Sequence, residues 1–162
     1  MDYLWTPWRY RYISEAAHES VCVFCRVLAL GDDASALIVL RGRKNFVILN
    51  RFPYGSGHCM VVPFAHVPGL AGCDPETLTE MMELTRRVQS ALEGLYHPQG
   101  YNIGMNLGRA AGAGVADHIH LHILPRWFGD TNFMTTLAET RLAPEALEVT
   151  YTKLHGALAT SP

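Results

Sequence analysis

The sequence predicts an α+β domain, an antiparallel sheet with one long helix packed on it and a shorter C-terminal helix. Three observations predict it. Short, apolar, β-branched runs dominate residues 36 to 63, a single long stretch with helical apolar spacing follows, and strand-like runs resume after residue 100. Strands, then one helix, then strands is the order of an α+β domain and not the repeated strand–helix alternation of a doubly wound parallel sheet. A chain of 162 residues has the length of one compact domain spanning 1–162, and no internal repeat or linker rich in Pro, Gly or Ser divides it.

Each element has its own signal. Ala36-Leu37-Ile38-Val39-Leu40 and Phe46-Val47-Ile48-Leu49, joined by polar Arg41-Gly42-Arg43-Lys44, read as a hairpin. After the turn from Pro53 to Gly57, His58-Cys59-Met60-Val61-Val62-Pro63 reads as a third strand, ending where Pro63 withholds a ladder donor. Asp74 is placed as an N-cap with Pro75 at the first helical position. Leu78, Met81, Met82, Thr85, Val88, Leu92 and Leu95 then recur at helical spacing and form a core stripe over Asp74 to Tyr96. Tyr101 to Leu107 is a fourth strand, Gly108 to Gly114 a loop rich in Gly and Ala, and His118 to Leu124 a fifth strand. A C-terminal helix at about 144–158 begins at Pro144 and carries Leu147, Tyr151, Leu154 and Leu158 as its apolar stripe.

The composition excludes several classes of function. With 49% hydrophobic residues, 17% charged residues and a net charge of −2, the chain lacks the basic excess of a protein that tracks long nucleic acid. No apolar run approaches the roughly 20 residues that span a bilayer. The start Met1-Asp2-Tyr3-Leu4-Trp5 has no basic-then-apolar signal, so a cytoplasmic location without membrane partners is expected. In that compartment the four cysteines read as reduced thiols. The close pair Cys22 and Cys25 then poses a metal-site or redox question, with His66 following the third strand as a further donor. Two buried reduced cysteines are the plain alternative, and that is the reading for Cys59 and Cys73.

The segment Asp117-His118-Ile119-His120-Leu121-His122-Ile123 carries the chemistry. Side chains alternate along a strand, so His118, His120 and His122 share one face while Ile119, Leu121 and Ile123 turn to the core. Three imidazoles on one face serve nucleophilic or proton-transfer chemistry, or bind one metal ion. The preceding Gly108, Gly112 and Gly114 let backbone N–H groups approach a phosphate closely.

The alternation His118-Ile119-His120-Leu121-His122-Ile123-Leu124 resembles the defining pattern of the histidine triad (HIT) superfamily. The likeness continues through Pro125 to Phe133, and upstream in Asn106-Leu107-Gly108, in Asn50 to His58 and in Trp5-Thr6-Pro7-Trp8-Arg9. It is nearest to bacterial diadenosine-polyphosphate phosphorylases and hydrolases. The resemblance implies a nucleotidyl hydrolase or transferase acting on diadenosine polyphosphates or other adenylylated molecules. His120 would attack the α-phosphorus to give a nucleotidyl-histidine that water or phosphate resolves, with His118 and His122 completing the catalytic set. It implies that Asn50 binds ribose, that His58 lines the nucleotide pocket, and that Asn106 lies near ribose and phosphate. Gly112, Ala113 and Gly114 would cradle phosphate; Ala113 and Gly114 stand where several relatives carry a polar side chain.

For cofactors, the resemblance implies a structural zinc on Cys22, Cys25, His66 and His118, which would pin residues 1–30 to the active strand, and no organic cofactor. It also implies a homodimer through the Asp74 to Tyr96 helix and the Tyr101 to Leu107 strand, with Trp5, Trp8, Tyr10, Tyr12, Trp127 and Phe128 as further aromatic surface. Three other readings stand beside this one. They are a metal-dependent hydrolase with zinc on all three histidines, a nucleotide-binding signalling module without turnover, and a sugar-nucleotide uridylyltransferase, which would carry glutamine in place of His122.

Overall fold

The computed structural model describes residues 21–130 and 145–160. The Trp5 to Arg9 segment, Tyr10, Tyr12, Pro144 and the stretch from Thr131 to Phe133 lie outside the described residues. In chain order the elements are α1 (Val23–Ala29), α2 (Asp33–Ala36), β1 (Ile38–Arg41), β2 (Asn45–Leu49), β3 (Cys59–Pro63), α3 (Pro75–Tyr96), β4 (Gly100–Gly104), β5 (Leu121–Arg126) and α4 (Leu147–Thr160). The five strands form one antiparallel sheet in the order β1-β2-β3-β5-β4, as the α+β reading expects.

The long helix starts as expected. Asp74 caps it by accepting the Thr77 N–H at 2.7 Å, and Pro75 costs no hydrogen bond in the first turn. Its inward stripe is Thr77, Met81, Leu84, Thr85, Val88, Ala91 and Leu92. Met82, placed in the stripe from spacing, instead points outward at 57% exposure, while Leu84 and Ala91 face in. Met82 lies about 100° round the helix from Met81, beyond the arc that the inward residues occupy. The helix ends at His97, whose left-handed φ of 47° stops the helical ladder.

α3 and α4 cover one face of the sheet. Val39, Val47, Leu49, Cys59, Val61, Leu121 and Ile123 meet Met81, Leu84, Val88 and Leu92 of α3 and Leu154 and Leu158 of α4. Each such buried aliphatic side chain contributes about 1.5–3 kcal/mol. The other face is also apolar where α1 covers it, through Phe24, Ile38, Phe46, Ile48, Met60 and Val62. β2 and β3 are therefore buried at every position, which explains their continuous apolar runs.

Strand boundaries move where pairing decides them. The first strand begins at Ile38 because Asp32 caps the short α2 through the Ala34 and Ser35 N–H groups, and Leu37 takes a left-handed φ of 63°. The fifth strand begins at Leu121, three residues later than the histidine pattern indicates. β3 pairs Val61 with Leu121, and its end at Pro63 has no N–H to continue the ladder. The Ile119 N–H turns instead to the Val67 carbonyl at 2.7 Å. β4 ends at Gly104, opposite His122, one residue short of the start of β5.

Glu80 on α3 holds the hairpin turn. Its carboxylate accepts the N–H groups of Arg43, Lys44 and Asn45 at 2.7–2.8 Å, and the Asn45 amide at 3.0 Å. Burial pushes its pKa up, but these four donors outweigh that and hold it below the usual carboxylate value. Gly42 is required beside it, since a Cβ there would lie 3.0 Å from the carboxylate and from the Asn45 carbonyl.

Candidate functional site

The site is built where β3 and β5 part company. The residues from His118 to His120 precede the β5 ladder, with His118 in a bend, and do not pair with β3, so the His118 carbonyl and the imidazoles take other partners. His118 and His120 are buried, at 0% and 6% exposure, and His122 is partly buried. Leu121 and Ile123 face the helices, so the alternation holds, but the imidazole face is covered by α1 rather than open.

Backbone groups select each tautomer. His118 Nε2 lies 2.9 Å from the Pro63 carbonyl, which can only accept. The proton of a neutral His118 is therefore on Nε2, and its Nδ1 lone pair is bare. His120 has the opposite arrangement, since its Nδ1 donates to the His118 carbonyl at 2.9 Å and leaves Nε2 bare. For His58, the Tyr54 N–H donates to Nδ1 at 3.1 Å. His58 Nε2–H then donates to His122 Nδ1 at 3.0 Å, so a neutral His122 presents an Nε2–H.

Burial favours the neutral form of three of these imidazoles. Burial lowers the His118 and His120 pKa values, and burial together with the nearby His120 takes His122 down to about 4. Tyr54 lies against His58 at 4.8 Å between ring centres with the planes tilted by 31°, and His122 meets His120 edge-on at 4.8 Å. Gly57 (φ 73°) keeps the Asn50–His58 loop close to the core, since a Cβ there would lie 2.9 Å from Leu92 Cδ2 and 3.2 Å from Pro125 Cγ.

The bare Nδ1 of His118 points at a second cluster. It lies 3.4 Å from Cys22 Sγ, 3.8 Å from Cys25 Sγ and 3.2 Å from His66 Nδ1, and Cys25 Sγ is 3.4 Å from the same His66 nitrogen. All four donor atoms lie within 4.8 Å of one another. A tetrahedral ion with S and N ligands at usual bond lengths requires donor–donor edges of about 3.3–3.8 Å, so this group could hold a metal ion. Burial, and then the charge of Cys22, push the Cys25 thiol up.

The other expected residues are placed as follows. Asn50 Nδ2 lies 3.4 Å from His58 Nδ1, and its Oδ1 accepts the Phe52 N–H at 2.9 Å. Asn106 is exposed beyond β4 and makes no side-chain hydrogen bond among the described residues. In the glycine loop, Gly108 and Gly112 have φ of 81° and 86°. The Ala111, Gly112 and Ala113 N–H groups are consumed by the turn itself, bonding to Gly108 and Arg109 carbonyls. The Gly114 N–H is not spent in this way. Sequence reasoning does not mark Phe24 and Tyr54 as site residues and marks Pro63 only as a strand end; the position of Phe24 between the two cysteines is the one available signal.

A family model described as the HIT domain matches residues 32–129. The chain belongs to the histidine triad family. It is 35% identical over 155 residues to an AP-4-A phosphorylase of Mycobacterium tuberculosis, covering 91% of this chain and 79% of that protein. A bis(5'-nucleosyl)-tetraphosphatase (asymmetrical) of Schizosaccharomyces pombe is 34% identical, over 55% of this chain and 48% of its own. Among solved structures, a Zn-bound histidine triad family protein from Mycobacterium smegmatis superposes with a TM-score of 0.68 at 35% identity, covering 85% of this chain and 93% of that one.

The depressed pKa of His122 has a consequence for stability. Unfolded histidine titrates near 6.5, so as the pH falls from about 6.5 towards 4 the unfolded chain gains a proton that native His122, facing Tyr54, His58 and His120, refuses. The contribution is complete above about pH 6.5 and lost as the pH falls to about 4, amounting to about 3 kcal/mol. Denaturant unfolding across this range is expected to show a shallower pH slope for His122→Gln than for the unsubstituted protein. Parallel curves would refute the assignment.

Proposed function

We propose that the protein transfers an adenylyl group from a diadenosine polyphosphate to inorganic phosphate through a nucleotidyl-histidine on His120. The observation that carries this reading is the His120 Nδ1 bond to the His118 carbonyl, which leaves a neutral, bare Nε2 in a buried site. Similarity to a phosphorylase over 91% of the chain supports phosphate as the acceptor.

With diadenosine tetraphosphate, His120 Nε2 attacks one α-phosphorus, the bond to the bridging oxygen breaks, and ATP leaves. Phosphate then attacks the adenylyl-histidine and releases ADP. His122, fixed by His58 as an Nε2–H donor, hydrogen-bonds the leaving or phosphoryl oxygens. The Gly114 N–H and its successors supply backbone donors to the developing charge. Asn50 and Asn106 bind ribose, and Ala113 and Gly114, having no bulky side chain, leave space for the acceptor.

The three-histidine metal site is disfavoured by geometry. Nδ1 of His118 points to the cysteines, whereas Nδ1 of His120 and of His122 are engaged by the His118 carbonyl and His58. The experiment is incubation with diadenosine tetraphosphate and labelled phosphate. ADP carrying the label, with ATP, is expected; AMP and ATP would indicate hydrolysis, and binding without product a signalling module. His120→Ala is expected to keep the fold and to lose a factor of at least about 10³ in turnover, since the covalent route is removed. Near-normal turnover would defeat the nucleophile assignment.

The metal held by Cys22, Cys25, His66 and His118 is zinc in this reading. Four protein ligands leave no position for water, so its work is structural. Cys22→Ser is expected to lower zinc content and Tm together, because binding of a structural metal is coupled to folding. A zinc-free protein with unchanged Tm would reject the site.

The native state is a homodimer built on α3 and β4. β4 is an open edge, and Ile103 and Met82 are 42% and 57% exposed on these two elements. Pairing of two copies would satisfy that edge symmetrically. Light scattering at low micromolar concentration is expected to give twice the 18.0 kDa chain mass. A mass equal to one chain would reject it.

A further inference from the structure

Phe24 lies in the middle of Cys22-Val23-Phe24-Cys25 and is the buried residue of α1. Its ring centre is 5.3 Å from the His118 ring at an interplanar angle of 72°, and 5.2 Å from the His120 ring at 52°. Behind it, Ile38, Phe46, Ile48, Met60 and Val62 complete a packed cluster, so the ring has little room to withdraw.

His120 is otherwise held by one hydrogen bond, from Nδ1 to the His118 carbonyl. A single bond fixes one ring atom but permits the plane to pivot, which swings Nε2 away from the line of attack on phosphorus. Two neighbouring rings restrict that pivot, Phe24 and His122, the latter 4.8 Å away at 74°. Phe24 is carried by the two residues whose sulfurs converge on His66 and His118. It therefore links the cysteine–histidine centre to the nucleophile by direct packing.

We propose that Phe24 is a positioning residue for His120: carried between the two metal-binding cysteines, its ring holds the imidazole plane so that Nε2 faces the substrate phosphorus. The inference rests on the reading of His120 as nucleophile. Position matters at this scale, since a displacement of about 1 Å at a reacting atom costs on the order of a hundredfold in rate.

The test compares the zinc-loaded protein with Phe24→Leu and Phe24→Ala. Leucine keeps apolar bulk and the fold while removing the flat ring, so it reports even where alanine unfolds the domain. Zinc per chain is measured first, then formation of the adenylyl-histidine from diadenosine tetraphosphate by rapid quench, and KM. The ring nitrogens of His120 are followed by long-range ¹H–¹⁵N NMR without substrate. Phe24→Leu is expected to retain one zinc per chain and KM within about twofold, to form the intermediate roughly ten- to a hundredfold more slowly, and to show His120 signals broadened or split where the unsubstituted protein shows one Nδ1–H species. An unchanged rate of formation, a loss confined to KM, or loss of zinc by Phe24→Leu would each overturn the proposal. Failure of the nucleophile reading looks different: the unsubstituted protein would form no trapped intermediate, while the NMR comparison would still report whether Phe24 orients the ring.

Discussion

The site depends on backbone carbonyls choosing which nitrogen of His118 and of His120 carries the proton. The Pro63 carbonyl takes the Nε2–H of His118, and the His118 carbonyl takes the Nδ1–H of His120. Two histidines one residue apart in the alternation therefore present opposite lone pairs, Nδ1 of His118 to a cluster of metal-type donors and Nε2 of His120 away from the His118 carbonyl. Both carbonyls are available because the β3–β5 ladder ends at Val61 and Leu121. Had pairing continued, those acceptors would have been spent on strand hydrogen bonds, and neither tautomer would be specified.

Burial converts that arrangement into chemistry. Neutral imidazole is the useful form for a nucleophile, and desolvation favours it at His118, His120 and His122 alike. The cover is provided by α1, whose Phe24 touches His118 and His120. The sheet is thus sandwiched, with α3 and α4 on one face for stability and α1 on the other at the site. The same packing that excludes water from the imidazoles also brings Cys22 and Cys25 within reach of His66 and His118.

The chemistry of His122 is set from further away. A main-chain N–H of Tyr54 fixes His58, and His58 fixes His122, so a turn after β2 dictates what a residue on β5 can donate. Gly57 permits that turn to lie against Leu92 and Pro125. The Asn50–His58 stretch thereby joins the histidine cluster through its backbone as much as its side chains.

The sequence by itself determined the fold class, the capped start of α3 at Asp74, and the grouping of His118, His120 and His122, because these follow from local spacing and from the family pattern. The four donors Cys22, Cys25, His66 and His118 also follow from the family pattern. Only the tertiary structure decided where strands begin, since Leu121 and Gly104 are boundaries set by partners distant in sequence. It decided that Met82 faces out, and that the glycine loop spends its Ala111, Gly112 and Ala113 donors internally. It alone assigned a tautomer to each imidazole and a place to Phe24, because proton position and ring packing depend on atoms brought near by folding, which spacing along the chain does not encode.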